Sequence, residues 1–303
     1  MLVAIVLFLA AVETGTRAVV QKASRIEYRV DAEYSMAKAL HRAPDAKHLL
    51  VVGNSLLLFD VQFDSLRAAL SPRWVPTRLV LEQTNFLDWY YGLRQLLATG
   101  ASPDAVALVL APDQLVNSQI RGDYSVYRLM GTRDALDASR ELHVHPTIAA
   151  RYLLSSVSAA YGLRSEYRKV LLGRLIPDME KLTPRIAHED RTVLADSEVY
   201  NRAYERLTRL KALLDAQNTK LVFVLPPVTS MDRWNQIVRR AGEDARVPVV
   251  MAFDRTSFSA GDYRSDGYHM NEGGALRFTS RLVPPLRSAL TYDLPRVGRT
   301  DDK

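Results

Sequence analysis

Ser55, Asp266 and His269 are the residues of this 303-residue chain whose types and settings could carry covalent chemistry. Ser55 ends the run Leu49-Leu50-Val51-Val52-Gly53-Asn54-Ser55, an apolar stretch that stops abruptly and gives way to the helix-like Val61 to Leu70. Such a run reads as a buried parallel strand, a tight turn and a helix. The turn would present the serine at the carboxyl edge of a sheet, beside a helix N-terminus, where open α/β sheets bind ligands. A serine hydroxyl is a poor nucleophile until a base takes its proton, and the base needs a partner that fixes its tautomer. Asp266-Gly267-Tyr268-His269 offers both, a carboxylate and an imidazole from one loop ahead of the helical pattern Ala275 to Leu290. Taken singly, each motif also has a plain structural reading. Gly-x-Ser is ordinary turn chemistry, and Asp266 and His269 could be polar turn residues before an N-cap at Asn271. Asp254 is the alternative orienter should Asp266 face away.

Together, Gly53-Asn54-Ser55 near the start of the α/β region and Asp266-x-x-His269 near its end resemble the SGNH (GDSL-like) hydrolase superfamily. More narrowly, the chain is similar to membrane-tethered SGNH-like proteins of cell-envelope polysaccharide O-acetylation, over about Lys47 to Leu290. The resemblance implies a Ser55 nucleophile with His269 as base and Asp266 as its partner. It implies acetyl transfer onto an envelope or exported polysaccharide, with no cofactor and no metal. The first block carries Asn54 where the best-known members have Asp. The second and third blocks are replaced by Leu81-Glu82-Gln83-Thr84-Asn85 and Ala111-Pro112-Asp113-Gln114. Oxyanion or substrate contacts are therefore sought among Asn54, Thr84, Asn85, Asp113 and Gln114, with the N–H of Ser55 as one donor. Thr84 or Asn85 could equally cap the helix that follows.

The elements that must position these residues follow a doubly wound pattern. Strand His48 to Val52, helix Val61 to Leu70, a loop through Pro72 and Pro76, and strand Arg78 to Leu81 make the first unit. Helix Phe86 to Leu97 and strand Ala105 to Leu110 make the next. The alternation then lapses, which predicts a helical insertion over about 115–195 placed as a cap on the carboxyl edge. Helix Asp196 to Asn218 and strands Leu221 to Leu225 and Val247 to Met251 complete about five parallel strands covered on both faces. Within the insertion, His143-Val144-His145 lacks a partner at ligand spacing and reads as a surface pair, and His188 with Glu189 and Asp190 as a solvated turn.

Composition bounds the partners. A net charge of +6 comes from arginines interleaved with acids, and no basic patch carries interleaved aromatics, so anionic lipid or glycan fits better than nucleic acid. Cysteine is absent, which removes disulfides and thiol chemistry. The apolar Met1 to Val12 run predicts a membrane anchor or uncleaved signal over residues 1–20, then a stalk helix over 21–46, with the domain from 47 to 303 facing the periplasm or cell exterior. A buried N-terminal helix is the alternative. Three functions stay open at this level: an O-acyltransferase, served in one version by a membrane-bound acyl-donor protein; a carboxyl esterase or deacetylase acting on a small acyl ester; and a catalytically silent scaffold that binds glycan or assembles a complex.

Overall fold

Strands buried on both faces of a parallel sheet read as continuous apolar runs, and the runs ending at Val52, Val109 and Leu225 form the centre of this one. The computed structural model describes residues 1–175, 194–228 and 231–291. In it β1 (Lys47–Gly53), β2 (Trp74–Val80), β3 (Ala105–Val109), β4 (Lys220–Leu225) and β5 (Val249–Met251) build one sheet in the order β2-β1-β3-β4-β5. Every pairing is parallel, with Gly53 level with Val80 on one side and Val109 on the other. Leu49, Leu50, Val52, Val106, Leu108 and Phe223 are fully buried. The expected α/β class with a five-stranded parallel sheet is what the chain adopts.

The expected helix Val61 to Leu70 is α4 (Phe63–Leu70), and a short helix not expected there, α3 (Ser55–Asp60), precedes it across Val61-Gln62, where the Gln62 N–H donates to Thr279 Oγ1 at 2.8 Å. β2 begins at Trp74, earlier than the expected strand Arg78 to Leu81, and so includes Pro76 of the expected loop. β2 is an edge strand, where a residue without an N–H is tolerated. Helix α5 (Phe86–Ala98) then leads to β3.

After β3 come α6 (Pro112–Val116), α7 (Asp123–Leu129), α8 (Thr132–Glu141), α9 (Pro146–Val157), α10 (Ala159–Gly162) and α11 (Arg164–Leu175). Helix α5 buries Phe86, Leu87, Trp89, Tyr91, Leu93 and Leu96, more than one face, and so needs cover on its outer side as well. The insertion supplies that cover. Arg121 turns the chain back by donating its N–H to Asp88 and its guanidinium to the Glu82 carbonyl, and Arg94 of α5 pairs with Asp134 and Asp137 of α8. The described part of the insertion thus packs against α5 and against the loop that follows β2. His188, Glu189 and Asp190 lie outside the described residues.

The sheet continues through α12 (Asp196–Asp215), α13 (Asp232–Asp244) and α14 (Glu272–Thr291). Helix α13 was not anticipated, although Trp234, Ile237, Val238 and Ala241 recur at helical spacing and pack into the core.

The expected N-terminal anchor is not supported by the helices of the chain. Met1 to Val12 belongs to α1 (Leu2–Ala23), and among the described residues no helix is long and apolar enough to cross a membrane. Glu13 and Arg17 follow the apolar run and pair with each other at 2.8 Å. Glu13 is also committed to protein: it accepts from Ser158 Oγ at 3.0 Å and from the N–H groups of Ala159 and Ala160 at 2.7 and 3.1 Å. Burial opposes its ionisation, but those donors and Arg17 outweigh burial and bring its pKa down to about 2. The stalk region forms α2 (Arg25–Lys38), which packs on β2. Its Glu33 accepts from Arg78 and from the edge N–H of Val80, each at 2.8 Å, which closes an otherwise open strand edge.

Candidate active site

β1 can end beside β3 only because residue 53 is glycine. A Cβ there would stand 2.6 Å from the Val109 carbonyl oxygen and 3.2 Å from the Val109 Cβ. Asn54 then turns the chain into α3. Its Oδ1 accepts the Leu56 N–H at 3.0 Å, an N-cap, while its Nδ2 donates to the Thr84 carbonyl at 2.9 Å. Strand, turn and cap together place Ser55 at the start of α3, half-buried at the carboxyl edge. It stands between β1 and β3, where the strand order reverses and open sheets bind their ligands.

His269 reaches this point from the loop before α14. Its Nε2 lies 2.8 Å from Ser55 Oγ and its Nδ1 2.9 Å from Asp266 Oδ2, a relay between residues 214 positions apart in the chain. Asp266 Oδ1 accepts the N–H groups of Tyr268 and His269 at 2.9 and 3.0 Å. Burial raises the Asp266 pKa, but the His269 side chain and these two N–H groups outweigh it and bring the value to about 2. Asp266 is therefore an anion at neutral pH, Nδ1 holds the ring proton toward it, and Nε2 is left as acceptor for the Ser55 hydroxyl. Gly267, at φ +66°, allows the tight reversal that brings Asp266 under the imidazole. The ring is held between Phe59 and Tyr268, each edge-on at a centroid distance of 5.1 Å.

A second set of contacts holds this loop. The Arg264 N–H donates to the His269 carbonyl at 2.8 Å, Arg264 Nε donates to the Met270 carbonyl at 3.1 Å, and the guanidinium lies 4.1 Å from the Phe59 ring centre. The Met270 N–H donates to Asp60 Oδ1 at 2.8 Å. Asp60 was not anticipated. The signal for it is a lone carboxylate inside the apolar run Leu56-Leu57-Leu58-Phe59-Asp60-Val61.

The remaining candidates are placed as follows. Thr84 is buried, with Oγ1 donating to the Leu81 carbonyl at 2.6 Å and accepting from Trp89 Nε1 at 2.9 Å. Asn85 begins α5, where its N–H donates to Asp88 at 2.8 Å. Asp113 lies in the first turn of α6. Gln114 does reach the site: its Oε1 accepts the Ala111 N–H at 2.9 Å, and its Nε2 donates to the Tyr268 hydroxyl at 3.0 Å. Leu56, Ala111, Val228 and Met231 form a small apolar cluster of their own, against which Tyr268 packs. Asp254 is turned into its own loop, bound to Thr256 and Ser257, and takes no part. His145 accepts the Thr147 N–H as the cap of α9, and among the described residues no group of His, Asp and Glu could hold a metal ion. A cavity of about 420 Å³ opens on the other side of Phe59, lined also by Phe63, Arg67, Arg78, Arg264 and Glu272.

What the arrangement can do is pass a proton from a serine hydroxyl to an imidazole oriented by a carboxylate. No protein-family model matches the chain, and no match is found among curated proteins.

Proposed function

We propose that this protein forms an acyl-enzyme on Ser55 and acts as an SGNH-like O-acyltransferase, moving an acetyl group from an ester donor to a cell-envelope or exported polysaccharide. The observation that carries the acyl-enzyme is the continuous Ser55–His269–Asp266 relay. Ser55 Oγ attacks the ester carbonyl carbon as its proton passes to His269 Nε2, and Asp266 stabilises the imidazolium so formed. The tetrahedral intermediate collapses, the donor alkoxide leaves with the proton from Nε2, and the acyl group stays on Ser55. His269 then takes a proton from the acceptor hydroxyl, whose oxygen attacks the acyl carbon; the second tetrahedral intermediate expels Ser55 Oγ, which takes that proton back from Nε2. The Ser55 N–H is the assigned oxyanion donor. Asn54 and Thr84 spend their side chains on the strand-to-helix turn and on Trp89, so they act by shaping the edge.

The polysaccharide acceptor, the location outside the cytoplasm and a membrane-bound donor partner rest on the SGNH resemblance. The cavity beside Phe59 has the size of a sugar-binding pocket, and the exposed Val3, Ile5, Leu7, Phe8 and Leu9 of α1 offer an apolar contact surface. A second reading, esterase, is favoured by openness: the Asp266 side chain is 46% exposed and that of His269 21%, so water has access as an acceptor.

The test follows acetate release from p-nitrophenyl acetate, and acetyl transfer to added oligosaccharides, in the wild type, Ser55→Ala and Asp266→Asn. Each variant is expected to lose turnover by ~10⁴-fold, and the double variant no more than that, because the groups act as a unit. Full activity in Ser55→Ala would leave the scaffold reading in place. Hydrolysis that no oligosaccharide diverts would favour the esterase.

A further inference from the structure

Asp60 closes α3, the short helix that Ser55 opens, and it is wholly buried. Its Oδ1 accepts the N–H of Met270, the residue after His269, at 2.8 Å. Its Oδ2 is also buried and has no hydrogen-bond partner. The nearby Arg264 places its Nε on the Met270 carbonyl and its guanidinium over Phe59, and makes no ion pair with Asp60. An ionised carboxylate with a single N–H bond in such a place is costly, whereas the neutral acid keeps the same acceptor at far lower cost.

We infer that Asp60, as a neutral carboxylic acid, is a positioning residue for the general base: through the Met270 N–H it fastens the 264–270 turn to the helix that carries Ser55, and so sets the Ser55–His269 separation. The inference rests on the acyl-enzyme reading above. Burial raises the Asp60 pKa most, Asp266 adds to the rise, and the Met270 N–H and Arg264 oppose it, to give about 8. Tyr263, raised by its own burial and by Asp60 to about 12, faces the same group. The buried residues of β1, β2 and α14 include no titratable side chain. Below pH 8 the clamp is therefore neutral and closed. Above it, a second anion beside Asp266 is driven toward water and pulls the turn off α3.

The experiment uses the full chain and two readouts, turnover of p-nitrophenyl acetate and the rate of Ser55 labelling by a fluorophosphonate, each from pH 6 to 10. The wild type should lose activity with a midpoint near 8. Asp60→Asn, which keeps an oxygen for Met270 and cannot ionise, should keep kcat within about 3-fold at pH 7 and lose that alkaline limb. Asp60→Ala should lower kcat and labelling about 10–100-fold at every pH while KM moves little, because a base misplaced by about 1 Å costs rate rather than binding. An alkaline limb unchanged in Asp60→Asn overturns the inference, and this variant decides alone should Asp60→Ala fail to fold. A wild type inert to both ester and fluorophosphonate overturns the acyl-enzyme reading and this inference with it. A reactive wild type matched by Asp60→Ala overturns only this inference.

Discussion

Replacing Gly53 by alanine tests whether the strand-to-helix turn is what aims the nucleophile. The new Cβ would lie 2.6 Å from the Val109 carbonyl oxygen, 3.1 Å from the Leu57 Cβ and 3.2 Å from the Val109 Cβ. Ordinary contact is about 3.5 Å, so the turn must absorb nearly 1 Å. Little else can give. Val109 is paired to Val224 of β4, and the Gly53 carbonyl accepts the Leu81 N–H at 3.1 Å. Overpacking of this kind costs about 1–3 kcal/mol, which for a protein of this size is a Tm lowered by roughly 2–10 °C. The displacement falls on residues 53–55, so turnover should drop more than stability does, by about 10²-fold at 20 °C where the variant is still folded. Thermal melts followed by circular dichroism, with ester turnover measured well below the transition, separate the two effects. Unchanged Tm together with unchanged turnover would refute the close approach and the aiming role drawn from it. A lowered Tm with full turnover would refute the second alone.

Two further outcomes follow from carboxylates held by protein donors. The Asp60 pKa is about 8 in the folded protein against an ordinary 3.8, so between these values the folded state holds a proton that the unfolded state releases. The stability tied to that proton is fully present below about pH 4 and is lost as pH rises to about 8, at up to ~1.4 kcal/mol per pH unit. Denaturant titrations at pH 5, 6, 7 and 8 should show a flatter decline for Asp60→Asn than for the wild type, and parallel slopes would contradict the assignment. At the other end of the chain, Glu13→Ala removes the acceptor for three donors at the start of α10, so limited proteolysis near residues 13–24 should quicken while the main transition stays in place. An unchanged cleavage rate would mean that other contacts hold α1.

The sequence by itself determined the parallel α/β sheet and the chain order of the candidate triad. Apolar runs long enough for a strand and bounded by turn residues have few alternatives once helices alternate with them. Gly53-Asn54-Ser55 and Asp266-x-x-His269 are local patterns that each sit in one turn. Contacts between distant segments were decided only in the tertiary structure. That His269 Nε2 meets Ser55 Oγ depends on how α14 docks against α3. That Glu13 caps α10 joins α1 to the insertion, and hydropathy carries no record of such a partner. The same holds for the insertion, which packs on α5, a helix that is apolar on more than one side. Asp60 is the sharpest instance. A carboxylate among leucines says that something must satisfy it, but only the folded chain shows Met270 doing so.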